Sequence, residues 1–166
     1  MVALKSFLPD EAATLALGAQ LAACLAPGLV IFLEGELGAG KTTLVRGVLR
    51  ALGHAGPVRS PTYALVELYE VSRLNLHHFD FYRFHDPREW IDAGFRESFN
   101  GRTISLIEWP RKAGGLLPPA DVEITLETSR TGRSASFTSS SSPGQRCIAC
   151  LAPHLHSTPS ASSSSC

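Results

Sequence analysis

Residues 35–42 form a glycine-rich segment that fits a phosphate-binding loop. The stretch Gly35-Glu36-Leu37-Gly38-Ala39-Gly40-Lys41-Thr42 matches the pattern G-x-x-x-x-G-K-[ST] at every fixed position. Glycines let consecutive backbone N–H groups turn inward around phosphate oxygens, and a following helix adds positive potential at its N-terminus. In such a loop Lys41 reaches the β- and γ-phosphates, and the Thr42 hydroxyl ligates Mg²⁺. The pattern therefore predicts a nucleoside triphosphate site.

Two acidic residues at the ends of apolar stretches are candidates for the metal and catalytic positions. Asp80 ends the stretch Leu74–Phe79, and Glu108 ends the stretch Thr103–Ile107. Ligand sites in open α/β sheets lie at the carboxyl ends of strands, so both acids are expected to converge on the loop. One would hold Mg²⁺ and the other would position or activate the attacking water. The sequence leaves open which does which, and either acid alone could instead be a surface salt-bridge partner.

Three further segments have two interpretations each. Ser60-Pro61-Thr62 precedes a predicted strand, where a Thr hydroxyl can sense the γ-phosphate, although its proline also favours a plain turn. Arg83 could offer a cation to the phosphates, or it could pair with Asp86 or Glu89. Trp109 could pack near the base or cover the core.

The hydrophobic pattern predicts the elements that must position these residues. A helix is expected to begin near Pro9-Asp10-Glu11, and a second helix is expected from Lys41 to about Leu52. Between them, the continuous apolar run Leu29–Leu33 is typical of a central strand in a parallel sheet. Further predicted elements are a short helix at Asp86–Ile91 and strands at Ala64–Tyr69, Leu74–Asp80, Thr103–Glu108 and Val122–Leu126.

The end of the chain differs in composition from the rest. Serine tracts occur after Thr128, and no acidic residue follows Glu127. A short helix over Gly144–Leu151 is expected, followed by disorder, because the remaining residues bury too little area to offset their ordering entropy. We predict a P-loop ATPase domain over residues 1–152 and a serine-rich tail over residues 153–166.

Composition limits the possible classes of function. The 166 residues suit a single domain, and 15 Lys+Arg balance 15 Asp+Glu. Zero net charge argues against independent binding to nucleic acid, which normally needs a basic surplus, but it leaves room for action through a partner. The charge-free run Ala12–Leu33 is long enough to cross a bilayer, yet Pro27-Gly28 divides it. We therefore expect no membrane span and a cytoplasmic protein.

The cysteines and histidines are expected to be neither cross-linked nor metal-bound. Four cysteines are present, three of them within the last twenty residues: Cys24, Cys147, Cys150 and Cys166. This distribution predicts reduced thiols. The pair Cys147 and Cys150, followed by two histidines, imitates a zinc cluster but lacks a second well-separated ligand pair, so no structural zinc is expected. His77 and His78 face opposite sides of a strand and cannot easily chelate one ion.

Taken in order, the motifs resemble those of the TsaE (YjeE) family of small bacterial P-loop ATPases. The resemblance covers about residues 4–132 and is carried by Gly35–Thr43, Ser60–Tyr63, His78–Arg83, Asp86-Pro87 and Glu108-Trp109-Pro110. It implies an α/β, P-loop NTPase-like three-layer fold with a mostly parallel central sheet and antiparallel additions. It also implies an Mg²⁺-dependent ATPase, weak alone, that supports threonylcarbamoyl modification of adenosine beside the anticodon of tRNA. In that system a TsaB–TsaD complex transfers the group, and the ATPase binds the complex and contacts tRNA indirectly.

The resemblance also assigns residues by position. Lys41, Asp80 and Glu108 match catalytic positions, and Thr42 joins the two acids as metal ligands. The matching nucleotide-binding positions are Glu36, Leu37, Gly38, Ala39, Gly40, Lys41, Thr42, Thr43, Thr62 and Trp109. Family members commonly continue past the Gly132-Arg133 equivalent with a strand and a closing helix. This sequence is expected to keep only faint traces of both.

The sequence is also compatible with two other functions. A small P-loop kinase would need an acceptor pocket and usually an Arg-rich lid, but Arg111 and Lys112 are the only basic residues between Pro110 and Leu126. A nucleotide-switched binding module, in which occupancy rather than hydrolysis matters, is not distinguished from the ATPase by sequence.

Overall fold

The computed structural model describes residues 2–155, which form a seven-stranded sheet with helices on both faces. Two short 3-10 turns, Phe95–Ser98 and Pro110–Ala113, follow α3 and β5. The strands and helices are, in chain order, β1 (Val2–Leu8), α1 (Glu11–Ala22), β2 (Val30–Glu34), α2 (Lys41–Ala51), β3 (Val66–Val71), β4 (Leu74–Asp80), α3 (Pro87–Asp92), β5 (Ile104–Glu108), β6 (Val122–Ser129), β7 (Gly132–Ser139) and α4 (Ser142–Leu155).

The sheet has the strand order β1-β7-β6-β2-β5-β4-β3. The four central strands β6, β2, β5 and β4 run parallel to one another. The outer pairings β1–β7, β6–β7 and β3–β4 are antiparallel. This arrangement confirms the predicted fold class, and it places β2 and the loop after it in the middle of the sheet.

Two hydrophobic cores cover the two faces of the sheet. On one face α1, α2 and α4 pack through apolar side chains that include Leu17, Leu44 and Ile148. The other face is covered by an aromatic cluster that includes Phe79 and Trp90. Every residue of β5 is buried, because this central strand is covered on both sides. The continuous apolar runs of the sequence therefore mark the centre of the sheet.

The charge-free run near the N-terminus is divided as predicted. Asp10 caps α1 by accepting a hydrogen bond from the Ala13 N–H at 2.8 Å. The helix ends at Ala22, and Gly28, with φ of +88°, turns the chain into β2. No helix within residues 2–155 is long and apolar enough to cross a membrane.

The C-terminal region holds a full strand and helix, so the expectation of faint traces is wrong. In β7, Ala135 and Phe137 are buried while Ser136 between them is half-buried, and the strand pairs with both β1 and β6. Helix α4 continues past the predicted end at Leu151 and includes Pro153, where disorder was expected. Residues 156–166 of the predicted tail lie outside the described residues.

The prediction of reduced thiols is also wrong for one pair. A disulfide joins Cys24, after the end of α1, to Cys150 on α4, with Cα atoms 5.6 Å apart. Their separation of 126 residues hides the pairing from sequence, because it depends on α4 packing against α1. Cys147 is a free, buried thiol, and its burial, together with Asp121, raises its pKa to about 11.

Candidate functional site

The loop between β2 and α2 presents unpaired backbone donors. Gly40 is the N-cap of α2 with φ of +108°, a backbone conformation that favours glycine, and it supplies no side chain to cap the helix. The helical ladder begins with the Leu44 N–H, which donates to the Gly40 carbonyl at 2.9 Å. The N–H groups of Lys41, Thr42 and Thr43 precede that bond and have no intrahelical acceptor. The loop therefore offers donors that an anion can accept.

Lys41 is buried inside the loop and is held by neutral acceptors. Its Nζ donates to the backbone carbonyls of Gly35 and, at 3.1 Å, Glu36, and it lies 4.2 Å from the centre of the Trp109 ring. Burial lowers the pKa of Lys41, while the Glu108 carboxylate acts in the opposite direction. A phosphate oxygen would offer this ammonium a stronger, charge-assisted hydrogen bond than either carbonyl does.

Glu108, at the end of β5, is held by two side chains. The Thr42 hydroxyl donates to its carboxylate oxygens at 3.2 and 3.0 Å, and His78 Nε2 lies 2.7 Å from its Oε2. Glu108 is 3% exposed and His78 is fully buried. His78 is not among the predicted site residues, although it precedes Asp80 by two residues on β4 and therefore shares its face. His77, on the opposite face, contacts Ser98 instead.

Asp80, the second acid, lies at the end of β4 and is bonded to the loop before β3. Its Oδ2 accepts hydrogen bonds from the hydroxyls of Ser60 and, at 3.5 Å, Thr62. Its Oδ1 accepts a bond from the Tyr82 N–H at 2.8 Å. Asp80 and Glu108 are direct partners in the β4–β5 ladder. The two acids therefore lie side by side at one edge of the sheet, each with its own hydroxyl partners.

The residues predicted for the site are brought together with one exception. A pocket of about 370 Å³ contains them, with Ser60, Tyr82 and Arg133 as further lining residues. Glu36 lies outside it and lines a neighbouring pocket of about 720 Å³. The predicted residues in the smaller pocket are Leu37, Gly38, Ala39, Gly40, Lys41, Thr42, Thr43, Thr62, Asp80, Glu108 and Trp109.

Comparison with known proteins identifies the family. The family model described as "Threonylcarbamoyl adenosine biosynthesis protein TsaE" matches residues 8–135. The chain belongs to the TsaE family. It is 43% identical over 132 residues to the tRNA threonylcarbamoyladenosine biosynthesis protein TsaE of Haemophilus influenzae, covering 76% of this chain and 84% of that protein. It is 39% identical over 119 residues to the protein of the same name from Bacillus subtilis, covering 72% and 73%.

A solved structure extends the likeness beyond the part that the TsaE family model matches. The crystal structure of Bacillus subtilis YdiB aligns with a TM-score of 0.79 at 29% sequence identity. The alignment covers 92% of this chain and 96% of YdiB. This share is larger than residues 1–135 make up, so the common fold includes part of the chain beyond the family match.

Two TsaE motif residues with open interpretations can now be placed. Arg83 is exposed and its guanidinium lies 4.4 Å from the centre of the Tyr63 ring, outside the loop pocket, while Asp86 pairs with Arg88 at 3.2 Å. Within residues 2–155, Arg83 therefore neither lines the loop pocket nor forms an ion pair with Asp86 or Glu89. Trp109 meets both of its interpretations in part, because it lines the pocket and also packs against the aromatic core.

The donor atoms of this TsaE chain fit a magnesium ion. Mg²⁺ takes oxygen ligands and is usually bound by one or two carboxylates together with substrate phosphates. The Thr42 hydroxyl and the Glu108 carboxylate already lie within hydrogen-bond distance of each other beside the loop. Asp80 adds a second carboxylate to the same pocket. Thr42 and Glu108, which are in contact with each other at the start of α2, are the residues that would hold the ion, with Asp80 beside them.

Proposed function

We propose that this chain binds ATP with Mg²⁺ and hydrolyses it as an accessory protein of tRNA threonylcarbamoyladenosine formation. It would act in the cytoplasm with a TsaB–TsaD complex, and the complex would contact the tRNA. Membership of the TsaE family supports the pathway. The observation that carries the ATPase assignment is the convergence of Lys41, Thr42, Asp80 and Glu108 on one pocket around the phosphate loop.

Each group at the loop has a task in this proposal. The N–H groups at the start of α2 bind phosphate oxygens, and Lys41 exchanges its carbonyl acceptors for the β- and γ-phosphates. Thr42 and Glu108 hold Mg²⁺, which when bound would neutralise charge that develops on the phosphates. His78 fixes the Glu108 carboxylate through its Nε2 contact.

Asp80 is proposed to orient the attacking water and to report the state of the nucleotide. Its carboxylate bonds to Ser60 and Thr62, which belong to the loop before β3. A γ-phosphate beside Asp80 would compete for these hydroxyls, so nucleotide binding would change the hydrogen bonds that hold that loop. This connection gives a physical route from nucleotide state to the protein surface.

The proposal includes slow turnover by the isolated chain. Within the described residues, Arg133 is the only arginine that lines the loop pocket, and it comes from β7 rather than from the side of the acids. P-loop hydrolysis without an arginine at the γ-phosphate can be slower by roughly three to five orders of magnitude. A partner complex that supplies or arranges the missing charge would therefore raise the rate.

The test measures ADP and phosphate release from ATP with and without the purified TsaB–TsaD complex. We expect co-elution of the chain with the complex and at least about a ten-fold rise in turnover. Failure of both would contradict the partnership. Formation of a phosphorylated small molecule would indicate a kinase, and tight ATP binding without ADP release in either sample would indicate a switch module. Lys41→Ala serves as the background control.

A further inference from the structure

Arg133 lies against the phosphate loop from the side opposite the acids. It is the second residue of β7 and is half-buried. Its guanidinium Nη1 would lie 2.8 Å from a Cβ atom placed on Gly40, and it lines the loop pocket. Any side chain at Gly40 would therefore displace Arg133, in addition to straining the backbone there.

The charge of Arg133 is not balanced by a carboxylate. The ion pairs among residues 2–155 join His78 to Glu108, Arg88 to Asp86 and Arg111 to Glu34, and none includes Arg133. The one hydrogen bond that its side chain makes within the described residues is a long contact of 3.4 Å to the neutral Thr14 hydroxyl. A half-buried guanidinium with a weak neutral partner is suited to bind an anion that enters the pocket.

The order of the strands indicates which part of a nucleotide would meet Arg133. Asp80 and Glu108 end β4 and β5, which lie on one side of β2, whereas β7 lies beyond β6 on the other side. Lys41 and Thr42 serve the β- and γ-phosphates and the metal in loops of this type. The opposite end of the phosphate chain is the α-phosphate.

We propose that Arg133 binds the α-phosphate of the nucleotide and is an affinity determinant common to ATP and ADP. The inference rests on the proposed function, namely that this pocket takes an adenine nucleotide. Arg133 then anchors substrate and product equally and has no part in stabilising charge at the γ-phosphate.

The test is calorimetric titration of the folded chain with MgATP and with MgADP. Arg133→Gln should weaken both nucleotides by the same factor, about ten-fold or more. Arg133→Lys retains the charge and should stay within about three-fold of the parent protein. The matched control is Arg130→Gln, an exposed arginine in the turn between β6 and β7, which should change either affinity less than about two-fold.

The possible outcomes separate this inference from the proposed function. If the parent protein binds neither nucleotide, the proposed function fails and the role of Arg133 fails with it. If the parent binds both and Arg133→Gln binds as tightly, the inference alone is overturned. A loss confined to ATP would also overturn it, because that would place Arg133 at the γ-phosphate. If Arg133→Gln does not fold, Arg133→Lys decides: a loss above about ten-fold for both nucleotides despite a native fold contradicts an electrostatic role.

Discussion

On the β5 and β4 side of strand β2, the phosphate pocket is lined by buried carboxylates, whereas on the β7 side it receives a guanidinium. Glu108 and Asp80 are each held by hydroxyl groups, from Thr42 and Ser60 respectively. Arg133 has only a long contact to a neutral hydroxyl. Carboxylates and hydroxyls suit a metal ion and a reacting water, while an unpaired cation suits a bound phosphate. The two sides are therefore suited to chemistry and to anchoring, respectively.

The two sides of the pocket also differ in the interactions that stabilise the fold around them. The side of the acids is backed by the aromatic cluster around Phe79, with no cross-link within the described residues. The β7 side carries α4, which is tied to α1 by the bond between Cys24 and Cys150. Changes on the acid side should therefore alter turnover, and changes on the β7 side should alter nucleotide affinity or stability.

The largest change in nucleotide affinity is expected for Lys41, where the two sides of the pocket meet. Lys41→Ala removes the only ammonium that the described residues place in the loop pocket, and it should weaken MgATP binding by at least about 100-fold. Calorimetric titration measures this change. Lys5→Ala, an exposed lysine on β1, is the matched control and should leave affinity unchanged. A loss below about three-fold for Lys41→Ala would refute the assignment of the loop.

Loss of the disulfide should lower the stability of the fold without changing ATP turnover. Cys150→Ser replaces an exposed disulfide-bonded cysteine and removes a bond that closes a separation of 126 residues, so the free energy of unfolding should fall by about 2–4 kcal/mol under oxidising conditions. ATP turnover at 25 °C should not change. Denaturant titration measures the difference, and the parent protein in excess reductant should match the variant. Equal stability with and without reductant would show that the bond contributes nothing.

A smaller, purely kinetic effect is expected at His78, the positioning residue behind Glu108. His78→Ala should lower kcat for ATP about ten-fold and leave KM within about two-fold, because it frees the carboxylate without touching the nucleotide. His78→Gln, which retains an N–H donor, should recover part of the rate. The control His77→Ala lies on the opposite face and contacts Ser98. Equal kcat losses in the two alanine variants would remove the proposed link to Glu108.

The centre of the fold could be predicted from sequence because β2 and β5 are mainly apolar runs and β6 alternates apolar and polar residues. The predicted and observed bounds of β4 agree at Leu74–Asp80, and β2 and β5 differ from prediction by one residue at most at each end. The edge strand β3 was predicted less accurately. Strand β3 begins two residues later than predicted because Leu65 adopts a positive φ of 67°, which breaks the extended chain before Val66.

Strand β7 could not be predicted because its pattern is weak, although the helix expected over Gly144–Leu151 lies within α4. In β7 the buried residues are Ala135, Phe137 and Ser139, with Ser136 and Thr138 between them, and this serine-rich pattern resembles low-complexity sequence. The site, too, could be predicted only in part from the sequence. The loop and its two acids are local motifs at strand ends, whereas His78 and Arg133 enter only through strand pairing and sheet order. The Cys24–Cys150 bond likewise depends on tertiary packing.

The most direct test of the central claim compares ATP turnover and ATP affinity in Glu108→Gln. This substitution keeps the shape of the side chain and its contact with Thr42, but it removes the negative charge beside the loop. In the presence of the TsaB–TsaD complex, we predict that the variant binds ATP within about three-fold of the parent protein and releases ADP at least about 100-fold more slowly. Equal rates of ADP release by the parent and Glu108→Gln, at equal ATP occupancy, would contradict the claim that the acid side of this pocket hydrolyses ATP.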